Sequence, residues 1–164
     1  MSRVDLRSDT LTLPTEEMKE AMSAAEVGDD VYGEDPTINR LEELATEKVG
    51  MEAALYVPSG TMGNTCALLT HARHGDEVIF EERAHMYVWE CGAFANIAGL
   101  ASRTLTGENG IFSAEQLRTA LRGQNVHFSP TSLVCIENTH NNYGGSAWTP
   151  DQVRAVGDVC KRSE

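Results

Sequence analysis

The chain has 164 residues, a length that suits one domain with a sizeable hydrophobic core. Hydrophobic residues make up 41% and charged residues 23%, a balance typical of soluble globular proteins. The formal net charge of −12 argues against a surface that binds nucleic acid or an anionic membrane. No apolar run is long enough to span a bilayer and residues 1–5 contain no apolar signal region, so a cytoplasmic location is expected.

The first part of the chain predicts a polar arm followed by a helix. Residues 5–10 are dense in hydrogen-bonding groups, which fits either a solvated arm or an arm that reaches a polar site. Pro14 is expected at the first position of a helix that ends near Ala25, because proline suits a helix start and Glu16 and Glu17 suit its first turn.

An acidic loop over residues 28–35 comes next, and Tyr32 is its one large side chain. Its carboxylates lack the spacing of an EF-hand, so a calcium site is not expected. Asp35 is the predicted cap of a second helix, and Gly50 is its predicted end.

The most informative stretch is a strand, turn and helix in the middle of the chain. Residues 53–57 predict a short buried strand, and residues 61–72 have a helical pattern. The first N–H groups of a helix have no partners, so such a turn can bind an anion, and Ser59, Gly60 and Thr61 would add hydroxyls and close backbone approach. An ordinary turn remains the alternative. The turn has no lysine, so it is not the GxxxxGK[ST] nucleotide loop.

The remaining elements alternate between strand and helix. The predicted elements are a strand at 77–81, a helix at 87–98, a strand at 101–105, a capped helix at 113–122, a strand at 132–136 and a capped helix from Thr149. Alternation of this kind predicts right-handed crossovers and an α/β fold with a mostly parallel sheet.

Polar side chains follow several predicted strands directly. Residues 59–61, His85 and residues 138–140 all lie just after a strand end, where ligands bind in open α/β sheets. We therefore expect one site that combines the anion-binding turn with His85 and His140. A flat imidazole could stack on an aromatic cofactor, and a second could exchange protons near neutral pH.

Metal and disulfide chemistry are not expected. No third ligand with zinc-like spacing accompanies the two histidines. The four cysteines are widely spaced inside apolar patterns, which predicts small buried side chains. They are Cys66, Cys91, Cys135 and Cys160.

Five segments in order resemble a known family. They are residues 5–10 (DLRSDT), 29–36 (DDVYGEDP), 59–64 (SGTMGN), His85 and residues 137–140 (ENTH). Over the whole chain they resemble the low-specificity threonine aldolases, within the aromatic β-eliminating lyase group of pyridoxal-phosphate (PLP) enzymes. The resemblance implies the three-layer large domain of PLP fold type I, incomplete at its C-terminal end.

The resemblance also implies roles for individual residues. It implies cofactor binding by Ser59, Gly60, Thr61 and His85, catalysis by His85 and His140, and substrate binding by Ser8, Tyr32 and Tyr87. His85 would stack on the cofactor ring, and His140 would help proton transfer at the substrate hydroxyl. Tyr32 would serve a neighbouring subunit, and Glu90 is a weaker candidate beside Tyr87.

The implied reaction is reversible cleavage of threonine or allo-threonine to glycine and acetaldehyde. PLP stores the electrons left when the Cα–Cβ bond breaks, and a base near the β-hydroxyl accepts its proton. The implied partners are a small amino-acid substrate and further copies of the full-length subunit, as a homodimer or homotetramer. No nucleic-acid or membrane partner is expected.

The chain departs from the family pattern in its lysines. Its three lysines, Lys19, Lys48 and Lys161, lie outside the family's Ser/Lys turn, so no lysine is placed to hold PLP covalently. The family's Asp-Gly-Ala-Arg segment is also missing. We therefore expect an N-terminal portion, with an arm, helix and loop at 1–35 and a partial PLP-binding large domain at 36–164, inactive by itself. The alternatives are another β-eliminating PLP lyase, or a non-catalytic fragment that associates with full-length subunits.

Overall fold

The computed structural model describes residues 4–5 and 8–162. The chain divides into two compact units, Met1–Tyr56 and Val57–Glu164. The domain boundary predicted between residues 35 and 36 stays a prediction. Within the described residues, no helix combines the length and the apolar character that crossing a membrane requires.

Among its described residues, the first unit contains two α-helices, α1 (Glu16–Ala24) and α2 (Pro36–Val49). Thr15 caps α1 by accepting a hydrogen bond from the Met18 N–H at 3.3 Å, so Pro14 lies just outside the helix rather than at its predicted first position. Asp35 caps α2 as predicted, and the left-handed Gly50 (φ 68°) ends it.

The second unit is a parallel α/β sheet with helices on both faces. Its elements are α3 (Gly60–His71), β1 (Glu77–Glu81), α4 (His85–Val88), α5 (Ala93–Asn96), β2 (Ala101–Leu105), α6 (Ala114–Ala120), β3 (Thr131–Val134) and α7 (Pro150–Lys161). The strand order is β2-β1-β3 and both pairings are parallel, with Glu77 opposite Ala101 and Thr131. The predicted fold class is confirmed.

Alternate side chains of β1 supply two cores. One core contains Leu68, Val78, Phe80, Ala84, Ala98 and Leu100, and the other contains Ile79, Phe112, Leu117, Trp148, Val156 and Val159. Successive strand side chains point to opposite faces, so Val78 and Phe80 pack under α3 and α5 while Ile79 packs under α6 and α7. The central strand is buried along its whole length and fixes the edge at which the loops after β1 and β3 meet.

The predicted strand at 53–57 is wrong. These residues pair with none of the described strands, and the Leu55 side chain is 74% exposed. A strand needs a neighbour for its N–H and C=O groups, which an apolar run does not specify. The Tyr56 N–H instead donates to the Glu42 carboxylate at 2.7 Å.

The single helix predicted over 87–98 is also wrong, because it is two short helices. Cys91 (φ 53°) and Gly92 (φ 67°) are left-handed and break the backbone between α4 and α5. Phe94 and Ala98 still pack against the same core. The spacing of apolar residues therefore predicted the buried positions correctly, but it did not predict where the helix breaks.

The cysteines are free thiols in partly buried positions, with one exception. Cys91 is exposed, so the prediction that all four are buried is wrong at that position. Burial raises the pKa of the Cys135 thiol to about 12, which makes this thiol a poor nucleophile.

The predicted capping boxes are confirmed in α6 and α7. In α7 the Thr149 hydroxyl accepts from the Gln152 N–H at 3.3 Å, and the Gln152 amide oxygen accepts from the Thr149 N–H at 2.8 Å. We expect Thr149→Ala to lower the free energy of unfolding by about 1 kcal/mol. Urea denaturation measures this, with Thr119→Ala, an exposed position near the C-terminal end of α6, as control. Equal effects of the two changes would contradict the prediction.

Candidate active site

The predicted site residues of the second unit lie at the carboxyl ends of β1 and β3 and at the start of α3. His85 begins α4 shortly after β1 ends at Glu81, and His140 lies in the loop after β3. Parallel strands bring these loops to the same edge of the sheet.

The start of α3 has the features of an anion site. Ser59 caps the helix by accepting from the Met62 N–H at 3.1 Å. The N–H groups of Gly60 and Thr61 begin the helix, so they have no acceptor within it, and residues 59–61 are exposed. A Cβ at Gly60 would meet no atom within 4 Å, so an anion can approach the backbone. This helix start fits a phosphate group.

His85 is held at one edge by a buried carboxylate. Its Nδ1 lies 2.8 Å from Glu90 Oε1, and the Glu90 side chain is 2% exposed while that of His85 is 44% exposed. The same Glu90 oxygen accepts from the Asn64 side-chain amide of α3 at 2.7 Å. An ionised carboxylate only accepts, so Nδ1 is the donor and Nε2 lies on the opposite side of the ring. One carboxylate therefore fixes the imidazole relative to the start of α3.

Glu137 connects the start of α4 at His85 with the loop that contains His140. One of its oxygens accepts from the His85 N–H at 2.5 Å, and the other accepts from the Asn141 N–H at 2.7 Å. The oxygen that bonds His85 also lies 3.9 Å from His140 Nε2. This distance is too long for a hydrogen bond. Glu137 thus binds the first turn of α4 to the loop after β3.

His140 is fully buried, which the sequence did not suggest. Its Nε2 lies 3.0 Å from Glu81 Oε2, and its Nδ1 has no hydrogen-bond partner within the described part of the chain. The His140 and Tyr143 rings pack edge to face, with their centroids 4.9 Å apart. Gly110 (φ 82°) packs against both rings, because a Cβ there would lie 2.3 Å from His140 Cδ2 and 2.8 Å from Tyr143 Cδ2. The proton-transfer role of His140 stays a prediction.

The other predicted site residues are placed differently. Tyr87 stacks on Phe94 with ring centroids 5.6 Å apart and is partly exposed. Ser8 and Tyr32 belong to the first unit. The Ser8 hydroxyl bonds the Thr10 hydroxyl at 2.8 Å, and Tyr32 is largely exposed in a short 3₁₀ turn. Their substrate-binding roles stay predictions.

Three residues that help to hold His85 or His140 in place were not predicted as site residues: Asn64, Glu81 and Glu137. A usable signal existed for Glu81, because it closes a strand that reads Glu-Val-Ile-Phe-Glu and a buried carboxylate requires partners. Asn64 and Glu137 lie in the family-like segments 59–64 and 137–140, but their partners could not be predicted because these lie 26 and 52 residues away in the chain.

Comparison with known proteins places the chain among lyases. The Beta-eliminating lyase family profile matches residues 5–164. Low-specificity L-threonine aldolase 1 of Arabidopsis thaliana is 44% identical over 166 residues, covering 99% of this chain and 46% of that protein. The low specificity L-threonine aldolase of Escherichia coli K12 is 42% identical over 139 residues, covering 84% of this chain and 42% of that protein. The chain therefore spans less than half the length of these relatives.

Solved structures agree on the fold. A Leishmania major threonine aldolase superposes with a TM-score of 0.74 at 23% identity, covering 90% of this chain and 42% of that one. A Listeria monocytogenes structure described as a putative L-allo-threonine aldolase gives 0.72 at 22% identity, covering 88% and 39%.

Proposed function

Because the chain belongs to the β-eliminating lyase family, we propose that it carries part of the active site of a PLP-dependent lyase that cleaves threonine and allo-threonine to glycine and acetaldehyde. The observation that carries this proposal is the shared Glu90 carboxylate. It holds the half-exposed His85 ring at a fixed place relative to the anion-binding start of α3. A cofactor with a phosphate at one end and a flat ring at the other needs this combination.

The residues present fit PLP at two points. The Gly60 and Thr61 N–H groups and the Ser59 and Thr61 hydroxyls would hold the phosphate. His85 would lie against the ring. PLP, when bound, supplies an electron sink for cleavage of the Cα–Cβ bond. The fold is that of PLP fold type I enzymes, as predicted.

The chain's own residues would then orient the substrate and move one proton. Glu90 keeps His85 in a single orientation, which lowers the entropic cost of holding a flat ligand against it. Cleavage needs the β-hydroxyl to lose its proton, and the family resemblance gives this role to His140. The same resemblance gives substrate binding to Ser8, Tyr87 and a neighbouring subunit's Tyr32.

Lys161, the lysine of the second unit, is the last residue of α7. In the first unit, Lys19 pairs with Glu16 at 2.7 Å in α1 and Lys48 lies in the last turn of α2. The family resemblance implies that PLP is bound covalently by a lysine in a Ser/Lys turn, which none of these three positions matches. We expect the chain alone to bind PLP without a covalent bond and to release no acetaldehyde from threonine.

A fusion protein tests the proposed function. We define it as the 164-residue chain followed in frame by the part of Arabidopsis L-threonine aldolase 1 beyond the matched region. Acetaldehyde is measured by coupling to alcohol dehydrogenase and NADH. We expect activity from the fusion protein, none from the chain alone, and a large loss in the His85→Ala fusion. The exposed His127→Ala is the matched control.

Two results would contradict the proposal. One is a folded fusion protein that binds PLP but yields no acetaldehyde. The other is acetaldehyde release by the chain alone. Pyruvate from cysteine or tryptophan, without threonine cleavage, would instead assign the alternative β-elimination.

We also propose that the whole protein is a cytoplasmic homodimer or homotetramer without nucleic-acid or membrane partners. The net charge of −12 supports the last point, because like charges repel phosphate-rich surfaces. The large exposed side chain of Tyr32 in an acidic loop supports a role at a subunit contact. Light scattering on the fusion protein measures its mass directly, and a monomer would contradict the assembly.

A further inference from the structure

Glu81 is the buried carboxylate that closes β1, and its side chain is 1% exposed. Its Oε2 accepts from the Arg83 N–H at 2.7 Å, and its Oε1 lies 3.4 Å from the Gly107 N–H. Backbone N–H groups can only donate, so both oxygens are used as acceptors. His140 Nε2, 3.0 Å from Oε2, faces a group that presents lone pairs to it.

We propose that Glu81 is a positioning residue that holds His140 in one tautomer, with the hydrogen on Nε2 and the lone pair on Nδ1. This inference deepens the proposed function and rests on it for its catalytic meaning. It states which nitrogen of His140 carries the lone pair for proton transfer.

The surroundings of the ring support this assignment. Glu137, the other carboxylate near Nε2, is 3.9 Å away and directs its hydrogen bonds to backbone N–H groups, so Glu81 is the ring's partner. Gly110 and Tyr143 both pack closely against the fully buried ring, which opposes a flip that would exchange its edges.

The free nitrogen gives the tautomer a functional consequence. Nδ1 is buried and has no partner among the described residues, and leaving such an atom unpaired is unfavourable. A lone pair at Nδ1 is satisfied by a hydrogen-bond donor, and an alcohol O–H is a donor. The tautomer that Glu81 selects is therefore the one that can accept a hydroxyl proton.

Nitrogen NMR of the 164-residue chain labelled with ¹⁵N-histidine tests the tautomer. Long-range ¹H–¹⁵N spectra distinguish the two neutral tautomers from the imidazolium, and a His140→Gln sample identifies the His140 signals. We expect the Nε2–H form in the wild type. We expect the same form in the control variant Glu82→Gln, because the wild-type Glu82 carboxylate accepts from the Thr106 hydroxyl and not from His140. In Glu81→Gln the amide oxygen can still accept from Nε2, whereas in Glu81→Leu nothing accepts there, so the population of the Nδ1–H form should rise in Glu81→Leu.

Three spectra would overturn the proposal: an Nδ1–H form in the wild type, an imidazolium in the wild type, or an unchanged tautomer ratio in folded Glu81→Leu. If Glu81→Leu does not fold, the wild-type spectrum alone decides the tautomer. This readout needs no enzymatic activity, so it separates the inference from the proposed function.

Kinetics of the fusion protein test the catalytic meaning. We expect Glu81→Leu to lower kcat about 10-fold to 100-fold, the loss typical when the hydrogen-bond partner that orients a metal-bound histidine is removed, with little change in KM. Glu82→Gln should match the wild type. An unchanged kcat in the folded Glu81→Leu fusion would overturn the positioning role. An inactive wild-type fusion with the expected spectrum would overturn the proposed function and leave the tautomer standing.

Discussion

Replacing Glu77 with alanine is expected to lower the free energy of unfolding by about 3–5 kcal/mol, a large part of the stability of a small domain. Glu77 is the first residue of the central strand, and its side chain is nearly fully buried. It accepts two hydrogen bonds from Arg103 at 3.1 Å, one from the Thr131 hydroxyl at 2.8 Å, and one from Arg122. Its removal leaves two guanidinium groups without their partner.

The loss in the free energy of unfolding should be near the lower end of that range. Arg103 and Arg122 are each about one-third exposed, so water can solvate them in part after the carboxylate is removed. Urea denaturation followed by tryptophan fluorescence measures the change. Glu115→Ala is the control, because Glu115 pairs with Arg118 on the exposed face of α6 and should contribute less than about 1 kcal/mol. Equal effects of the two changes would refute the prediction.

The same carboxylate predicts a pH dependence. Burial raises the pKa of Glu77, but the hydrogen bonds from Arg103, Thr131 and Arg122 outweigh it and hold the pKa below its usual value of 4.5. A carboxyl group whose pKa is lowered by folding stabilises the folded chain fully above its unfolded pKa, and this contribution is lost as pH falls through the folded pKa. The stability difference between wild type and Glu77→Ala should therefore narrow below about pH 4.5.

Replacing Glu90 with leucine in the fusion protein is expected to lower kcat/KM for threonine by about 100-fold. Leucine keeps much of the side-chain volume but offers no acceptor to Asn64 or to His85 Nδ1. The His85 ring would then lose its fixed orientation relative to the start of α3. Small displacements of groups that orient a ligand produce losses of this size.

The assay is the coupled measurement of acetaldehyde, with PLP affinity measured in parallel by absorbance titration. Glu108→Leu is the matched control, because Glu108 is exposed and its side chain takes no part in the cluster. A double variant with His85→Ala tests the mechanism. If Glu90 acts through His85, the second change should add little to the first. Additive losses would show that Glu90 acts independently of His85.

Local signals predicted well where the interactions themselves are local. The capping boxes at Ser113 and Thr149 join residues three apart, so the sequence pattern contains both partners. The strand at 77–81 was predicted to its exact ends, because the turn residues Gly75 and Asp76 come directly before it.

Interactions between distant residues explain the failures. The predicted strand at 53–57 lacks a pairing partner, which no local pattern can supply. The helix breaks at Cys91 and Gly92 because their backbones are left-handed, while the spacing of apolar residues continues across the break. The candidate site was found through its histidines, but the carboxylates that hold them pair with residues 5 and 59 positions away in sequence, and only the folded sheet brings the more distant pair together.

The double use of Glu137 limits how this protein can be redesigned. Because one carboxylate fixes the backbone at both His85 and Asn141, a substitution that moves either loop shifts the other. Libraries that randomise the two loops one at a time would mostly sample combinations in which a gain at one loop is offset by misalignment at the other. Joint randomisation that leaves Glu137 intact should recover altered substrate preference more often, since neighbouring changes of this kind combine non-additively.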